Sequence, residues 1–334
     1  MTALVQLDDL VVRFRVGGGF ARARAFNAVD RVSLRIDEGE CFGLVGESGC
    51  GKTTLGRAIL RIHAPHSGTV TFAGQDITRM GGNRLRTVRK GMQMVFQDPY
   101  GSLDPRMTVE QIVGEPIRTH EPARRGVLRE RVQEALVAVG IDPDRLGDYP
   151  HQFSGGQRQR IGIARALAIR PRFIVCDEAT SALDVSVRAQ ILTLLADLRQ
   201  RHGLTYLMIS HDLGSLRYLC DRIGVMYLGR LVEVAPVAEI FARPRHPYTR
   251  SLLSAMPIPD PRIERARRRI PLSGDVPSPL AAPTGCCFHT RCWLHQRLGE
   301  PPRCATESPA LRDMPTGKVA CHFSEDMAAQ DTAL

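Results

Sequence analysis

The chain has 334 residues, of which 43% are hydrophobic and 24% are charged, and its formal net charge is +10. These values are ordinary for a folded globular protein and exclude a disordered or fibrous chain. No uncharged apolar run reaches the roughly 18–20 residues of a membrane span, and the N-terminus shows no secretory signal. We therefore expect a cytoplasmic chain that is soluble by itself, built as one large domain with an extension or as two mid-sized domains.

The first third of the chain alternates between strands, turns and a helix. The pattern predicts, in chain order, a strand at 3–15, a loop at 16–24, strands at 32–37 and 41–45, a helix at 52–61 and a strand at 69–73. The segment 41–45 is uniformly apolar, which is typical of a strand buried on both faces.

The middle of the chain continues this alternation. It predicts mostly helical structure at 106–140, a helix at 157–169, a strand at 173–176, a helix at 185–202, a strand at 204–209 and a hairpin at 223–235 that turns at Gly229 and Arg230. Strands that alternate with helices indicate an α/β fold with a mostly parallel central sheet. Prolines recur from Pro257 onward, which indicates a linker or an extended segment.

A phosphate-binding loop follows the buried strand at 41–45. Residues 46–53, the P-loop, fit the pattern G-x-x-x-x-G-K-[ST] between a strand and a helix. Glycines let main-chain N–H groups surround phosphate oxygens, and the helix N-terminus adds partial positive charge. Lys52 is predicted to reach the β- and γ-phosphates, and the Thr53 hydroxyl to bind Mg²⁺. The candidate nucleotide-binding residues here are Gly46, Glu47, Ser48, Gly49, Cys50, Gly51, Lys52, Thr53 and Thr54.

Two carboxylates follow the apolar strand at 173–176. Ligands bind at the carboxyl ends of strands in open α/β sheets, so this position suits a nucleotide site. Asp177 is predicted to hold Mg²⁺ through water, and Glu178 to polarise the attacking water as general base. The pair therefore complements the P-loop in a nucleotide hydrolase.

A second glycine-containing helix start indicates the class of hydrolase. Phe153 precedes the sequence SGGQRQR, which opens an amphipathic helix and so offers another anion-binding N-terminus. This segment resembles the signature sequence of ATP-binding cassette (ABC) proteins. The resemblance implies a head-to-tail dimer, in which each signature helix caps the γ-phosphate bound to the other P-loop. The residues it assigns to this contact are Ser154, Gly155, Gly156 and Gln157.

Further family motifs occur in order along the chain, and the resemblance gives each a role. Gln97, in VFQDP, is similar to the Q-loop glutamine, which senses Mg²⁺ and water and links to the membrane partner. Asp184, in SALD, is similar to the D-loop aspartate, and His211, in MISHD, to the switch histidine that contacts the γ-phosphate. Phe14 is similar to the aromatic residue that stacks on adenine, with core packing as the alternative role.

The resemblance also implies a fold and a domain organisation. We expect an ABC-type P-loop ATPase domain over residues 1–256, with an N-terminal antiparallel β subdomain and a helical subdomain at about 98–165. A small Cys-containing C-terminal extension is expected at 257–334.

Three strings resemble the oligopeptide/dipeptide importer branch, in the form of the second of its two ATPase subunits. They are FQDPYGSLDPRMTV, IVCDEATSALDVSVRAQ and HPYTRSLLSAMP. The resemblance implies an ATPase at the cytoplasmic face of the inner membrane that energises peptide import. The implied partners are a second homologous ATPase, two permeases that dock on residues 98–118, and an extracytoplasmic solute-binding protein.

Two other functions are alternatives. The first is an importer ATPase for nickel or a small opine-like compound. The second is a soluble ABC protein that acts on nucleic acid, which the charge of +10 would permit. The single cassette argues against the second alternative, so we expect no nucleic-acid partner.

Five of the nine cysteines lie after residue 285. Four thiolates suit a [4Fe–4S] cluster or tetrahedral Zn²⁺. The resemblance favours the iron–sulfur cluster, with zinc and free or structural thiols as the alternatives. The candidate ligands, which match the cysteines of the branch's extension, are Cys286, Cys292, Cys304 and Cys321; Cys287 is an additional cysteine.

Overall fold

A computed structural model describes residues 2–17, 24–98, 100–121, 124–257 and 269–329, together with residues 260, 262 and 265. Most of the predicted loop at 16–24, and part of the predicted linker after Pro257, lie outside the described residues. The strands are β1 (Ala3–Val16), β2 (Arg24–Asp37), β3 (Cys41–Val45), β4 (Ser67–Phe72), β5 (Gln75–Asp76), β6 (Met92–Val95), β7 (Phe173–Asp177), β8 (Thr205–Ser210), β9 (Arg222–Tyr227), β10 (Arg230–Pro236), β11 (Arg312–Met314) and β12 (Gly317–Val319).

Helices connect most of these strands. In chain order they are α1 (Lys52–Ile59), α2 (Gly82–Lys90), α3 (Val109–His120), α4 (Arg125–Ala138), α5 (Gly155–Leu167), α6 (Val185–His202), α7 (Leu213–Leu219), α8 (Val237–Ala242), α9 (Pro247–Ala255), α10 (Trp293–Arg297), α11 (Pro302–Thr306) and α12 (Ser324–Ala329). Within the described residues, none of the helices is long and apolar enough to cross a membrane.

The N-terminal strands form an antiparallel sheet in the order β2-β1-β4-β5. This sheet is the predicted antiparallel β subdomain. Strand β2 begins at Arg24 rather than at residue 32, because its first residues pair with the end of β1, from Arg13 to Val16. That pairing is a long-range feature, and the sequence pattern of residues 24–31 alone did not predict it.

The second sheet has the order β11-β12-β10-β9-β3-β8-β7-β6. Strands β9, β3, β8, β7 and β6 run parallel to one another, as the strand–helix alternation predicted. Strand β10 pairs with β9 in an antiparallel hairpin that turns at Leu228 and Gly229, one residue before the predicted turn. The carboxyl ends of these five parallel strands therefore lie together at one edge of the sheet.

The parallel strands separate two hydrophobic cores. Cys41 and Val45 of β3 belong to the core that includes the helical subdomain, whereas Phe42 and Leu44 belong to the core beneath the antiparallel sheet. Successive side chains of a strand point to opposite faces, so a strand with a core on each side must be apolar throughout. This arrangement explains the uninterrupted apolar run of 41–45.

The predicted helical region at 106–140 consists of two helices, α3 and α4. Helix α3 starts at a capping box, in which Gln111 N donates to Thr108 Oγ1 at 3.3 Å and Thr108 N donates to Gln111 Oε1 at 2.9 Å. The helix ends before Glu121, which has an extended conformation. Proline at position 122 disfavours helical geometry in the preceding residue, which accounts for the break.

The C-terminal extension packs against the ATPase domain. Strand β12 pairs with β10 and thereby extends the central sheet, with Val319 opposite Glu233. Phe288 and Leu294 are buried in the same core as the helical subdomain. Residues 269–329 are therefore joined to the domain by both main-chain hydrogen bonds and apolar packing.

His246 caps helix α9 from a fully buried position. Its Nδ1 accepts a hydrogen bond from Tyr248 N at 3.1 Å, and burial lowers the pKa of the imidazole from 6.5 to about 3. Below pH 6.5 the unfolded chain therefore binds a proton that the folded chain does not. We expect this residue to reduce the free energy of unfolding by up to about 1.4 kcal/mol per pH unit as the pH falls from 6.5 towards 3.

Urea denaturation between about pH 7 and pH 4 measures this contribution. The variant His246→Asn keeps a capping acceptor without the titrating group, so its free energy of unfolding should fall less steeply with pH than that of the wild type. His202→Asn, which alters an exposed histidine at the end of α6, is the control. Equal slopes for wild type and His246→Asn would contradict the assignment.

Candidate nucleotide site

The predicted site residues converge at the carboxyl edge of the parallel strands. The P-loop follows β3, Gln97 follows β6, Asp177 ends β7, and His211 follows β8. Strand β8 lies between β3 and β7, and β6 is the next neighbour of β7. Four segments that are distant in sequence thus meet in one crevice, where open α/β sheets bind ligands.

The P-loop main chain lies too close to its neighbours for side chains at two of its glycines. A Cβ atom on Gly46 would lie 2.1 Å from the carbonyl oxygen of Met226. A Cβ atom on Gly51 would lie 2.1 Å from the carbonyl oxygen of Ala28, and Gly51 also has a left-handed φ of +107°. Only glycine fits these two positions, which explains why the motif requires it at both ends of the loop.

Lys52 occupies the inside of the loop. Its side chain is buried, and Nζ donates to Gly46 O at 2.7 Å and to Glu47 O at 3.0 Å. An ammonium group held by main-chain carbonyls is a cation placed where the loop encloses an anion. This is the geometry that the phosphate role of Lys52 requires.

Hard oxygen donors meet at the start of α1. Thr53 Oγ1 donates to Asp177 Oδ1 at 2.8 Å. Burial raises the pKa of the Asp177 carboxyl, and the hydrogen bond from Thr53 opposes that shift. A hydroxyl and a carboxylate at one point are the ligand types that Mg²⁺ prefers, so these two residues fit a magnesium ion bound with the nucleotide phosphates.

Glu178 lies between two other predicted site residues. Gln97 Nε2 donates to Glu178 Oε2 at 3.0 Å, and His211 Nδ1 lies 3.3 Å from the same oxygen. Glu178 also has a left-handed φ of 47°, a conformation that costs a non-glycine residue about 1–3 kcal/mol. Such a strained position is typical of a residue whose side chain must point into a functional site. The other carboxylate oxygen is free of these two contacts and can face a water molecule.

Phe14 lies in a small aromatic group at the end of β1. It is half-buried, and its ring centroid lies 6.0 Å from that of Phe26 and 5.3 Å from that of His63. The structure therefore gives Phe14 packing partners and leaves part of its ring open. Both roles predicted for it, adenine stacking and core packing, are compatible with this position.

The signature residues stand apart from the P-loop of the same chain. Ser154 is exposed and forms a capping box at the start of α5, with Gln157 N donating to Ser154 Oγ at 3.3 Å and Ser154 N donating to Gln157 Oε1 at 3.0 Å. In the described part of the chain, no hydrogen bond joins Ser154 to the P-loop. Asp184 occupies the N-cap of α6, and its side chain makes no capping hydrogen bond there. Neither residue therefore completes the nucleotide site within one chain.

Two residues that the sequence did not single out hold the P-loop from behind. Glu47 N donates to Tyr248 Oη at 2.8 Å, and Arg291 Nη1 donates to Glu47 Oε2 at 2.7 Å. Tyr248 and Arg291 are separated from Glu47 by more than half of the chain, so no spacing rule connects them. Their only signals were the family-like string HPYTRSLLSAMP, which contains Tyr248, and the position of Arg291 next to the candidate ligand Cys292.

Two of the four predicted cluster cysteines, Cys286 and Cys304, are joined by a main-chain hydrogen bond in the extension. Cys286 N donates to Cys304 O at 2.8 Å, and burial raises the pKa of the Cys286 thiol and raises that of Cys292 to about 12. Within the described residues, however, no group of three or more His, Cys, Asp or Glu side chains is arranged to hold a metal ion. The arrangement as it stands therefore does not fit the predicted [4Fe–4S] cluster.

Comparison with known proteins agrees with this geometry. Residues 29–181 match the ABC transporter family, and residues 232–298 match the C-terminal region of oligopeptide/dipeptide transporters. The oligopeptide transport ATP-binding protein AppF of Bacillus subtilis (strain 168) is 46% identical over 324 residues, which cover 96% of this chain and 97% of AppF. The chain belongs to the ABC transporter family.

Solved ABC structures have the same fold. The ATP-binding cassette MJ0796, in a dimeric post-hydrolysis state bound to ADP and Pi, is similar with a TM-score of 0.62 and 29% identity, covering 70% of this chain and 98% of that one. CbiO1 from Clostridium perfringens, part of the ABC transporter complex cbiONQ, is similar with a TM-score of 0.62 and 26% identity, covering 72% of this chain and 91% of that one. The predicted ABC ATPase fold is thus confirmed, and the protein is an ABC-type ATPase.

Proposed function

We propose that this ABC ATPase energises the import of dipeptides or oligopeptides across the cytoplasmic membrane. The observation that carries the proposal is the match of residues 232–298 to the C-terminal region of oligopeptide/dipeptide transporters. The predicted nucleotide-site residues at the carboxyl edge of the parallel strands support it. The high similarity to AppF, named as an oligopeptide transport protein, supports the same substrate class. The chain would act at the cytoplasmic face of the membrane, attached through its permease partners.

The reaction is the transfer of the γ-phosphoryl group of ATP to water. Lys52 and the P-loop amides bind the phosphates, and Phe14 stacks on the adenine. Thr53 and Asp177, with Gln97, would hold Mg²⁺, which neutralises charge on the phosphate oxygens when bound. Glu178 takes a proton from the attacking water, while Gln97 and His211 orient its carboxylate. The main contribution of the protein is positioning and charge neutralisation.

The nucleotide site requires a second ATPase subunit. Ser154 and its neighbours Gly155, Gly156 and Gln157 stand at an exposed helix N-terminus that can face a γ-phosphate held by another chain. Asp184, also outside the P-loop contacts, would lie at the same dimer interface. We infer that the chain forms a heterodimer with a second homologous ATPase. The further partners of this heterodimer would be two permeases and an extracytoplasmic solute-binding protein. Iron–sulfur binding is not part of the proposed reaction, because the cysteine arrangement does not fit a cluster.

Growth of a strain that lacks this gene tests the substrate class. With peptides as the only source of a required amino acid, the strain should fail to grow, and a copy of the gene should restore growth. Growth on the free amino acid should be normal, which controls for general defects. Normal growth on di-, tri- and longer peptides together with impaired nickel or opine uptake would contradict the proposal and favour another solute.

A further inference from the structure

An ion pair joins the C-terminal extension to the phosphate-binding loop. The Arg291 guanidinium donates to both carboxylate oxygens of Glu47, at 2.7 Å to Oε2 and 3.2 Å to Oε1. The Arg291 side chain is 6% exposed and that of Glu47 is 24% exposed. A bidentate pair with one partner removed from water is strong and directional, because the planar fork of arginine matches the carboxylate.

The extension holds Arg291 firmly at this position. Arg291 Nε donates to Ser273 O at 3.3 Å, and Nη1 also lies 3.4 Å from Tyr227 Oη. Phe288, three residues earlier, is fully buried, with its ring centroid 5.2 Å from Tyr227 and 5.3 Å from Tyr248. The position of the Arg291 guanidinium is therefore fixed by contacts other than the one with Glu47.

Every polar group of Glu47 is occupied by a contact from another part of the loop or chain. Its N–H donates to Tyr248 Oη at 2.8 Å, its carbonyl oxygen accepts from Lys52 Nζ at 3.0 Å, and its carboxylate binds Arg291. These contacts fix the second residue of the P-loop in its main chain and in its side chain. Residues outside the ATPase motifs thus help to preorganise the loop for phosphate binding.

The charge of Glu47 makes this contact more than a structural one. A carboxylate inside a phosphate-binding loop repels the polyphosphate unless a cation neutralises it. Arg291 is the cation in bidentate contact with it. We propose that Arg291 is a positioning residue for ATP, which acts through Glu47 by fixing the loop and cancelling its negative charge. The inference rests on ATP binding at the P-loop.

ATP affinity of the full-length protein, measured by displacement of the fluorescent analogue TNP-ATP, tests the inference. Arg291→Met should weaken ATP binding about tenfold or more, because it leaves the Glu47 carboxylate of the phosphate-binding loop without its cation. Glu47→Gln alone loses the ion pair but also removes the carboxylate that must be neutralised, so it should bind ATP more tightly than Arg291→Met does. The double variant should bind ATP more tightly than Arg291→Met, since the repelling charge is gone. A purely structural role of Arg291 would not produce this rescue.

A matched control is Arg222→Met, which breaks another arginine–glutamate pair, with Glu40 at 3.0 Å. In the strand register of β9 and β3, Arg222 lies opposite Phe42, near the start of β3 and therefore at the end of the strand away from the P-loop. Replacing Arg222 should therefore leave ATP affinity unchanged. Should Arg291→Met fail to fold, Arg291→Lys keeps the charge without the fork and should bind ATP with intermediate affinity.

Two results would overturn the inference. One is wild-type ATP affinity in folded Arg291→Met or, where that variant does not fold, in Arg291→Lys. The other is a double variant that binds ATP no better than Arg291→Met. Failure of the wild-type protein to bind ATP would instead contradict the proposed function. Failure of the inference and failure of the proposed function are therefore distinguishable.

Discussion

Replacing Glu178 with glutamine is expected to lower the rate of ATP hydrolysis about 10²–10⁴-fold, the usual contribution of a general base. ATP binding should persist, because a glutamine at this position keeps the size of the side chain and can hydrogen-bond to Gln97 and His211. The amide cannot take a proton from water. Bound ATP should therefore remain intact and hold the two ATPase subunits in the closed dimer.

Phosphate release and subunit association measure the two halves of this prediction. With MgATP, the Glu178→Gln variant should remain associated with the second ATPase for longer than the wild type, as seen by analytical ultracentrifugation or crosslinking. Glu130→Gln, an exposed glutamate on α4, is the matched control and should hydrolyse ATP at the wild-type rate. Rapid phosphate release by Glu178→Gln would refute the assignment of the base.

Replacing Lys52 with alanine should instead abolish most of the ATP binding. Lys52 is the buried ammonium of the loop, and its loss removes charge-assisted hydrogen bonds to the phosphates. Hydrogen bonds to charged groups contribute about 1.5–3 kcal/mol, which corresponds to a fall in ATP affinity of about 10- to 100-fold. Equilibrium titration with ATP gives the value directly.

The chain contains only three lysines, which makes a matched control simple. Lys318 lies in the extension, where its Nζ is 3.3 Å from Asp313 Oδ1, and its side chain is half-exposed. Lys318→Ala should bind ATP as the wild type does. Because Lys52 also holds the carbonyls of Gly46 and Glu47, thermal unfolding of both variants must be compared. Undiminished ATP affinity in folded Lys52→Ala would contradict the phosphate role.

Local patterns were sufficient to predict the elements that carry the site. The apolar segments 41–45 and 173–176 correspond closely to β3 and β7, because strands buried on both faces have no polar interruptions. Helix α2 was not predicted. Among its residues, only Leu85 is buried, so the segment lacks the apolar repeat by which an amphipathic helix is recognised. Strand β5 has two exposed residues and offers no signal either.

The parts of the site that sequence did not predict depend on contacts over long separations. The motifs did predict that Lys52, Asp177 and Glu178 lie at one edge of the sheet, because each residue follows or ends a strand of the parallel part. No pattern in the sequence connects Arg291 or Tyr248 to Glu47, because the contact arises only when the extension packs behind the loop. The cysteines illustrate the opposite case. Their resemblance to the cysteines of the family's extension favoured an iron–sulfur cluster, whereas the described residues contain no group arranged for a metal ion.

Uptake of a radiolabelled peptide by intact cells tests the central claim most directly. Cells that lack this gene would carry either the wild-type gene or the Glu178→Gln gene, expressed to the same level. The account predicts rapid uptake with the wild type and uptake no faster than in the deletion strain with Glu178→Gln. Equal uptake with the two genes, above that of the deletion strain, would contradict the claim that ATP hydrolysis at this site energises peptide import.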